Sequence, residues 1–277
     1  MNCCICGPVK NCAPYLQKVL SNIEKIGSLF NDYKIIFFYD NSTDNTLDIL
    51  KEYQNKNPKL LFYVNKNIVS KYRTHNIAFA RNYCLDYIRK NVDFFPYFIM
   101  MDLDDVNCKD INLKPLENSL KREDWDGLSF NTSPHYYDIW GLSIWPFCFS
   151  YNHFSNNFKY HSIIRDYIMK KLEGLKPGQL LPCISSFNGF SIYRTNKFLN
   201  TYYDGRVRLD IIHPNNLNMH KKVANSNLVY KKYYKPDGTV NVDGAYEDCE
   251  HRAFHIQAIQ NSHAKIMISP EILFISF

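Results

Sequence analysis

The stretch YFIMMDLDDV, residues 97–106, determines the fold that we predict for this chain. An apolar run at 97–101 ends abruptly at three carboxylates, Asp102, Asp104 and Asp105. A short apolar run without charge is typical of a buried strand, and the C-terminal ends of strands border the ligand crevice of an open α/β sheet. Asp102 and Asp104 lie two residues apart, so they share a face wherever the strand continues.

These carboxylates predict a site for a hard divalent cation. Like charges so close together are costly unless a cation or strong donors compensate them. Carboxylate oxygens suit Mg²⁺ or Mn²⁺, which usually bridge to a substrate phosphate. We therefore assign Asp102 and Asp104 as metal ligands, with Asp105 in support. The alternative is a polar turn after the strand, because Asp-x-Asp alone is a weak motif.

The composition indicates a globular α/β chain that does not bind nucleic acid. Its 277 residues, 45% hydrophobic and 16% aromatic, are enough for a large core. The net charge of +6 comes from dispersed lysines, which suits an anionic small molecule such as a sugar nucleotide. We see no targeting leader and no run near the roughly 18 apolar residues of a membrane span. We therefore expect a cytoplasmic protein without a transmembrane segment.

The nine cysteines, an odd number without regular spacing, suggest free thiols in a reducing compartment. Cys3, Cys4, Cys6 and Cys12 cluster near the start. They are either small apolar residues of a first strand and helix or part of a zinc site, although no matching Cys-x-x-Cys or His pair follows.

Apolar periodicity predicts alternating strands and helices through the first half of the chain. This alternation favours a mostly parallel central sheet flanked by helices, in one domain with a soft internal border near residue 125. The predicted strands lie at 2–6, 33–39, 60–64, 97–101, 126–131, 189–193 and 265–269. The predicted helices lie at 12–30, 43–55, 75–90, 163–172 and 247–260.

A second acidic strand end precedes the first. Asp40 ends the strand at 33–39 and is followed by Asn41 and a Ser-Thr-Asp-x-Thr run at 42–46. A carboxylate there can accept hydrogen bonds from a uracil imide or a ribose hydroxyl. The alternative is that the run is only a helix cap and turn. Its position, one strand–helix unit before the next strand that ends in Asp, favours a ligand site.

Two arginines, Arg73 and Arg81, lie before and on the helix predicted at 75–90. Their spacing of eight is about two helical turns, so both can lie on a similar side. Arginine is suited to bind a diphosphate or to fix carboxylates. The alternative is a pair of solvated helix charges.

An acidic pair, Glu247 and Asp248, begins the helix predicted at 247–260, after a glycine-bearing loop at 237–245. Acids at a helix start match the helix dipole without any chemistry. Alternatively, Asp248 or Glu247 serves as general base toward an acceptor hydroxyl. His251 and His255, four residues apart, are either further metal ligands or ordinary helix histidines.

A polar turn at 185–190 contains Asn188 and Gly189, and its glycine would allow the backbone to approach a sugar closely. The alternative is an ordinary turn. Five nearby aromatic residues either stack on an acceptor ring or fill a core, and for most of them we expect the core. They are Tyr136, Tyr137, Trp140, Trp145 and Phe147.

Taken in order, these segments resemble the GT-A glycosyltransferases, and the first two-fifths resembles family 2 members. There, a strand-end Asp and the Ser-Thr-Asp-x-Thr run meet the nucleotide, and Asp-x-Asp binds metal and diphosphate. Asp40, 42–46 and 102–104 match those positions. The Glu-Asp pair that supplies the base in inverting members matches 247–248.

The chain also resembles the capsule-associated mannosyltransferase-like group, whose members are thought to retain anomeric configuration. The two resemblances thus imply opposite stereochemistry. Many GT-A enzymes place a metal-binding His after the last core strand, but 270–277 contains none. The third ligand is then His251, His255 or water. The positions similar to the mannosyltransferase-like group are Arg73, Ala78, 81–82, 137–138, 188–189 and 249–250.

The resemblance implies one GT-A domain over residues 1–277, with a nucleotide-sugar-binding half at 1–125 and an acceptor-binding half at 126–277. It implies a hexosyltransferase that uses Mn²⁺ or Mg²⁺ and moves a sugar from a nucleotide-diphosphate sugar to a glycan or other hydroxyl acceptor. A UDP-sugar is favoured over a GDP-sugar. The alternatives are a catalytically silent sugar-nucleotide or glycan-binding module and a nucleotidyltransferase. The glycine-rich loop common in nucleotidyltransferases is reduced here to Gly7.

Overall fold

The structure, a computed structural model, describes residues 1–67, 69–149, 158–224, 233–234, 240–241 and 247–275. Apart from residues 240–241, the loop at 237–245 lies outside the described residues. The helices are α1 (Ala13–Gly27), α2 (Thr46–Lys56), α3 (Arg73–Lys90), α4 (Lys114–Leu120), α5 (Phe158–Glu173), α6 (Pro214–Ala224) and α7 (Glu250–Ser262). The longer strands are β1 (Asn2–Val9), β2 (Asp32–Tyr39), β3 (Leu60–Val64), β4 (Tyr97–Met101), β6 (Gly127–Asn131), β8 (Phe190–Arg194) and β11 (Ile266–Ile272). Two-residue strands are β5 (Asp110–Ile111), β7 (Leu181–Pro182), β9 (Tyr233–Tyr234), β10 (Val240–Asn241) and β12 (Phe274–Ile275).

A central sheet joins eight strands in the order β3-β2-β1-β4-β8-β6-β11-β7. Strand β1 pairs in parallel with β2 and β4, as β2 does with β3 and β6 with β11. Strand β8 runs antiparallel to β4 and β6, and β7 runs antiparallel to β11. Only β8 and β7 therefore oppose the common direction, which confirms the prediction of a mostly parallel sheet flanked by helices.

Alternate residues of β1 face two separate hydrophobic layers, as strand geometry requires. Ile5 packs in the layer that contains α1, whereas Cys4 and Cys6 pack in the layer that contains α3 and α7. Cys3, Cys4 and Cys6 are all fully buried, and burial raises the pKa of each thiol. These cysteines act as small core residues, which is the first of the two alternatives above.

Strand β1 extends to Val9, three residues beyond its predicted end. Gly7 makes this extension feasible because it has no Cβ. A Cβ at this position would lie 2.3 Å from the carbonyl oxygen of Met101 and clash with it. The pairing of β1 with β4 stops at Cys6, so Pro8 follows the last ladder position on that side. The end of β1 therefore lies beside the ends of β2 and β4.

Other element boundaries follow the sequence closely. Strands β3 and β4 match their predicted ranges, whereas α2 begins at Thr46 rather than at residue 43 and α7 begins at Glu250 rather than at residue 247. Helices α4 and α6 were not predicted, because their apolar patterns are too short to stand out in the sequence. None of the helices in the described ranges is both long and apolar enough to cross a membrane.

Candidate active site

A cavity of about 640 Å³ opens at the C-terminal ends of β1, β2 and β4. The first part of the chain lines it with residues 8–12, Asp40 and 102–104. The second part contributes Tyr137, Asp138, Trp140, Phe187 and residues 249–251. The cavity thus lies where ligands of α/β sheets usually bind, beyond the carboxyl ends of the strands.

The acidic run after β4 enters this cavity with two of its three carboxylates. Asp102 and Asp104 line the cavity, whereas Asp105 is exposed and does not. The backbone N–H of Asp102 donates to the carbonyl oxygen of Gly189 at 2.9 Å, which fixes the start of the run. Burial and the nearby charge of Asp102 raise the pKa of Asp104 to about 7. Asp104 is thus a carboxyl group short of compensating positive charge.

A buried arginine on α3 organises the acidic side of the cavity. The Arg81 side chain is 3% exposed and donates from Nη2 to Asp102 at 2.9 Å and from Nε to Glu250 at 2.8 Å. Its guanidinium also lies 4.5 Å from the ring centroid of Phe187. Arg81 therefore fixes carboxylates, which excludes the interpretation as a solvated helix charge. Arg73, in contrast, is an exposed residue of the cavity wall.

The carboxylates fit a divalent cation whose coordination a ligand completes. Within the described residues, no group of three or more His, Cys, Asp and Glu side chains is arranged to hold a metal ion. Mg²⁺, however, is usually held by one or two carboxylates together with substrate phosphates and water. Asp102 and Asp104 supply that pair, and the raised pKa of Asp104 marks a place where a cation would be stabilising.

Asp40 at the end of β2 lines the cavity beside Lys10 at the end of β1. Lys10 Nζ lies 2.7 Å from Asp40 Oδ2, and the Asp40 side chain is 23% exposed. The other carboxylate oxygen accepts from the Asn65 amide at 3.1 Å and from the backbone N–H of Asn41 at 3.0 Å. Asn41 itself is exposed and does not line the cavity, so its contribution is to orient Asp40.

The run after Asp40 also contacts the first residue of α2 and the segment after β1, while its role toward a ligand stays a prediction. Asp44 Oδ1 accepts from the backbone N–H of Thr46 at 3.1 Å, and Asp44 Oδ2 accepts from the backbone N–H of Ala13 at 3.0 Å. Ser42 instead accepts from the backbone N–H of Asn11 at 3.0 Å. These bonds hold the ends of β1 and β2 together on one side of the cavity.

Asn188 and Gly189 form a left-handed turn behind the cavity and do not line it. Their φ angles are +57° and +83°. The Asn188 Oδ1 atom accepts from the backbone N–H groups of Tyr137 at 2.9 Å and Asp138 at 2.8 Å. The Gly189 carbonyl accepts from Asp102 and from the Asn107 amide at 2.7 Å. The turn therefore positions two segments of the wall, which differs from the predicted direct contact with a ligand.

We expect Gly189→Ala to destabilise the protein by about 2 kcal/mol, because the left-handed conformation and a steric clash add together. A Cβ at Gly189 would lie 2.7 Å from Cγ1 of Val106. Gly178→Ala is the matched control, since Gly178 has a φ of +79° and open space around it. Urea unfolding of both variants checks this prediction, and equal losses of stability would contradict it.

Glu247 and Asp248 precede α7 and are directed away from the cavity wall. Asp248 is 2% exposed and Oδ2 lies 2.8 Å from Nε of Arg252, a buried ion pair. Arg252 also donates to the carbonyl oxygens of Trp140, Leu142 and Cys148. Asp248 thereby stabilises the loop that carries Trp140. The assignment of Asp248 as general base stays a prediction, and this geometry gives the residue a separate structural role.

Glu247 connects to the start of α3 instead of facing the cavity. Its Oε1 accepts from the backbone N–H of Thr74 at 3.1 Å. The residue that enters the cavity from this segment is Glu250, the partner of Arg81. Glu247 and Asp248, the two acids predicted to include the general base, therefore do not line the cavity. Helix α7 begins at Glu250, three residues later than expected, and Glu250 is the acid of this segment that lines the cavity.

The two histidines of α7 have different environments. His255 is fully buried, with Nδ1 3.0 Å from Ser185 Oγ and Nε2 3.0 Å from Tyr193 Oη. Both of its nitrogens are therefore engaged, which leaves none for a metal. His251 lines the cavity and stacks on Phe187 with 3.7 Å between ring centroids. Burial and then Arg81 lower the pKa of His251, so its imidazole is neutral.

Asp138, like Glu250, is a cavity carboxylate that was not predicted as a site residue. Its Oδ1 accepts from the backbone N–H of Gly141 at 2.8 Å. Burial, with the charges of Asp102 and Glu250, raises the pKa of Asp138 to about 6. The sequence carries a signal for it, an Asp that directly follows two tyrosines and lies two residues before Trp140.

The central sheet and the cavity at its strand ends define the class of fold, an α/β fold of the GT-A type. The sequence profile described as glycosyl transferase family 2 matches residues 4–187. The chain belongs to glycosyl transferase family 2. No curated protein sequence matches the chain significantly.

Solved structures share this fold at low sequence identity. TarS from S. aureus has a TM-score of 0.50 and 14% identity, and the match covers 99% of this chain and 36% of that one. A structure of S. aureus TarS 1-349 has a TM-score of 0.49 and 13% identity, and the match covers 99% of this chain and 59% of that one. A mannosyltransferase from Pyrobaculum calidifontis, solved with GDP-Man and Mn²⁺, has a TM-score of 0.43 and 13% identity. The match covers 73% of this chain and 47% of that one. The chain thus spans between about a third and three-fifths of these proteins.

Proposed function

We propose that this chain transfers a sugar from a nucleotide-diphosphate sugar to a hydroxyl acceptor, with a divalent cation as cofactor. One observation carries this proposal: Asp40, Asp102 and Asp104, which end two different strands, converge on one cavity. Membership in glycosyl transferase family 2 supports the reaction class. The choice of a divalent cation and of a nucleotide-sugar donor is argued from the residues that line the cavity.

The side of the cavity built from β1, β2 and α3 suits the nucleotide and its diphosphate. Asp40 presents a carboxylate oriented by Asn65 and Asn41, which could accept from a base imide or a ribose hydroxyl. Lys71 and Arg73 add positive charge to the same wall, where phosphate oxygens gain from ionic hydrogen bonds. The family resemblance at Asp40 favours uracil over guanine.

Asp102 and Asp104 would hold the cation, and Arg81 keeps Asp102 in place. A divalent cation there would neutralise the charge that develops on the leaving diphosphate. Arg81 is itself fixed by Glu250 and Phe187, so Asp102 is oriented before any ligand binds. This preorganisation lowers the cost of assembling the site.

For an inverting reaction we assign the general base to Asp138. Its carboxyl lies in the cavity wall, whereas Asp248 is paired with Arg252 away from it. Asp138 would accept the proton of the acceptor hydroxyl while that oxygen bonds to the anomeric carbon. The bond from this carbon to the diphosphate oxygen breaks, and the nucleoside diphosphate leaves. A pKa of about 6 keeps Asp138 ionised near neutral pH yet able to take a proton.

We expect a nucleotide sugar to raise the melting temperature of this protein more with Mn²⁺ present than without it. The physical reason is linkage, since a ligand that binds only the folded state stabilises it. The measurement is a thermal-shift panel of UDP-, GDP- and CMP-sugars, each with and without Mn²⁺, followed by an assay of free nucleotide.

The same panel separates the alternatives. Stabilisation by one donor with nucleotide release supports a glycosyltransferase. Stabilisation without release, even with acceptors present, would instead favour the catalytically silent binding module. Release of pyrophosphate from a nucleoside triphosphate in the presence of a sugar phosphate would favour a nucleotidyltransferase.

A further inference from the structure

We propose that residues 137–140 form an acceptor subsite for a neutral pyranose ring and disfavour a phosphorylated acceptor. This inference rests on the proposed function and names the acceptor class for the same cavity. The segment reads Tyr-Asp-Ile-Trp, and three of its residues, Tyr137, Asp138 and Trp140, line the cavity. It therefore places two aromatic rings and one carboxylate together on one part of the wall.

The two rings offer surface that the protein itself does not cover. Tyr137 is 51% exposed, whereas the neighbouring Tyr136 is fully buried. Trp140 retains partial exposure, although its indole Nε1 atom is itself buried. An aromatic face can cover the C–H face of a sugar ring.

Charge distinguishes this part of the wall from the rest. The wall contributed by residues 8–81 carries Lys10, Lys71 and Arg73, which suits an anionic diphosphate. Residues 137–140 carry no Lys or Arg and add the Asp138 carboxylate instead. A phosphate on the acceptor would meet a like charge there, whereas a neutral sugar hydroxyl would donate to it.

The nearby arginines cannot supply the missing positive charge. Arg252 is 2% exposed and its donors are used by Asp248 and by backbone carbonyls that include Trp140. Arg81 uses Nη2 for Asp102 and Nε for Glu250, and its remaining nitrogen, Nη1, is buried. The charge of each guanidinium is therefore already balanced by the carboxylates that it contacts.

The subsite is held rigidly enough to be selective. The Asn188 amide oxygen binds the backbone N–H of both Tyr137 and Asp138, and the Trp140 carbonyl is held by Arg252 at 2.6 Å. These contacts fix the backbone at both ends of the segment. The backbone that carries the two rings is thus held in place, which lowers the cost of ordering the subsite when an acceptor binds.

Intrinsic tryptophan fluorescence tests this proposal without any donor. The full chain is titrated with the methyl glycosides of glucose, galactose, mannose and N-acetylglucosamine, and in parallel with the matching sugar 1-phosphates. We expect at least one neutral glycoside to change the emission and to bind more tightly than its phosphate. Trp140→Phe abolishes the change, and Tyr137→Ala weakens binding about tenfold, as loss of one aromatic contact implies.

Trp145→Phe is the matched control, because Trp145 is 51% exposed yet lies outside the cavity wall. It should retain the emission change. The proposal is overturned if Trp140→Phe keeps the change, if no glycoside produces one, or if the phosphates bind more tightly. If Trp140→Phe does not fold, calorimetric titration of Tyr137→Ala, whose side chain is half exposed, decides in its place. Failure of the proposed function would appear separately, as absence of nucleotide release from every donor.

Discussion

We expect replacement of Asp104 with Asn to lower metal-dependent release of nucleotide from the donor sugar by about a thousandfold. The carboxamide keeps the shape of the side chain but loses the charge that a divalent cation requires. Electrostatic stabilisation of a developing charge is commonly worth factors of this size. The measurement is the initial rate of nucleotide release at saturating donor, with Mn²⁺ varied.

Asp110→Asn is the matched control for this experiment. Asp110 is an exposed acid close in sequence that pairs with Lys18 at the surface and lies outside the cavity wall. Surface ion pairs contribute little to stability, so this variant should match the wild type. Turnover by Asp104→Asn at the wild-type rate, with the same dependence on Mn²⁺, would contradict the assignment of Asp104 as a metal ligand.

The convergence of the acidic residues was predictable because it depends on strand ends. Asp40 and Asp102 each follow an apolar run, and parallel strands of one sheet present their carboxyl ends at the same edge. The same rule would have identified Lys10 and Asn11 if β1 had been predicted to extend to Val9. The Gly-Pro pair at 7–8 concealed this extension, because both residues usually end a strand.

The pairing of Arg81 was not predictable, because its partner Glu250 lies 169 positions away along the chain. Sequence periodicity shows that α3 has a buried face, but it does not show which acid meets that face. The exact start of α7 was also not predictable from the sequence. Acids at 247, 248 and 250 all suit a helix start, and the three-residue shift of that start decides that Glu250 reaches the cavity.

Burial of the second acidic pair likewise depends on tertiary structure. Asp248 pairs with Arg252 four residues later, a spacing that is common on exposed helices. Here both side chains are almost fully buried, at 3% and 2% exposed. Breaking a buried pair is costly, because the remaining charge stays unpaired. The sequence shows the spacing but not the burial, and the burial determines the role.

Asp138→Asn and Asp248→Asn should therefore affect different properties: the first the rate of transfer, the second the stability of the fold. We expect Asp138→Asn to lower kcat for transfer by about a thousandfold, the usual contribution of a general base, while the melting temperature remains close to that of the wild type. Its amide oxygen can still accept from Gly141, so the loop keeps its hydrogen bond. Asp248→Asn should instead lower the free energy of unfolding by about 3 kcal/mol and retain transfer at temperatures where it is folded. Steady-state transfer assays and urea unfolding of both variants provide the measurement.

The pH dependence of transfer gives an independent check on the same assignment. A general base acts only when deprotonated, and burial raises the pKa of Asp138 to about 6. Transfer by the wild type should therefore be nearly constant above that pH and fall about tenfold per unit below it. In Asp138→Asn the titration of this group is absent, so the residual rate should lose the decline. Unchanged kcat in Asp138→Asn, together with loss of transfer in folded Asp248→Asn, would return the base to Asp248. Unchanged kcat in both variants would point to a retaining reaction, which needs no base for the acceptor.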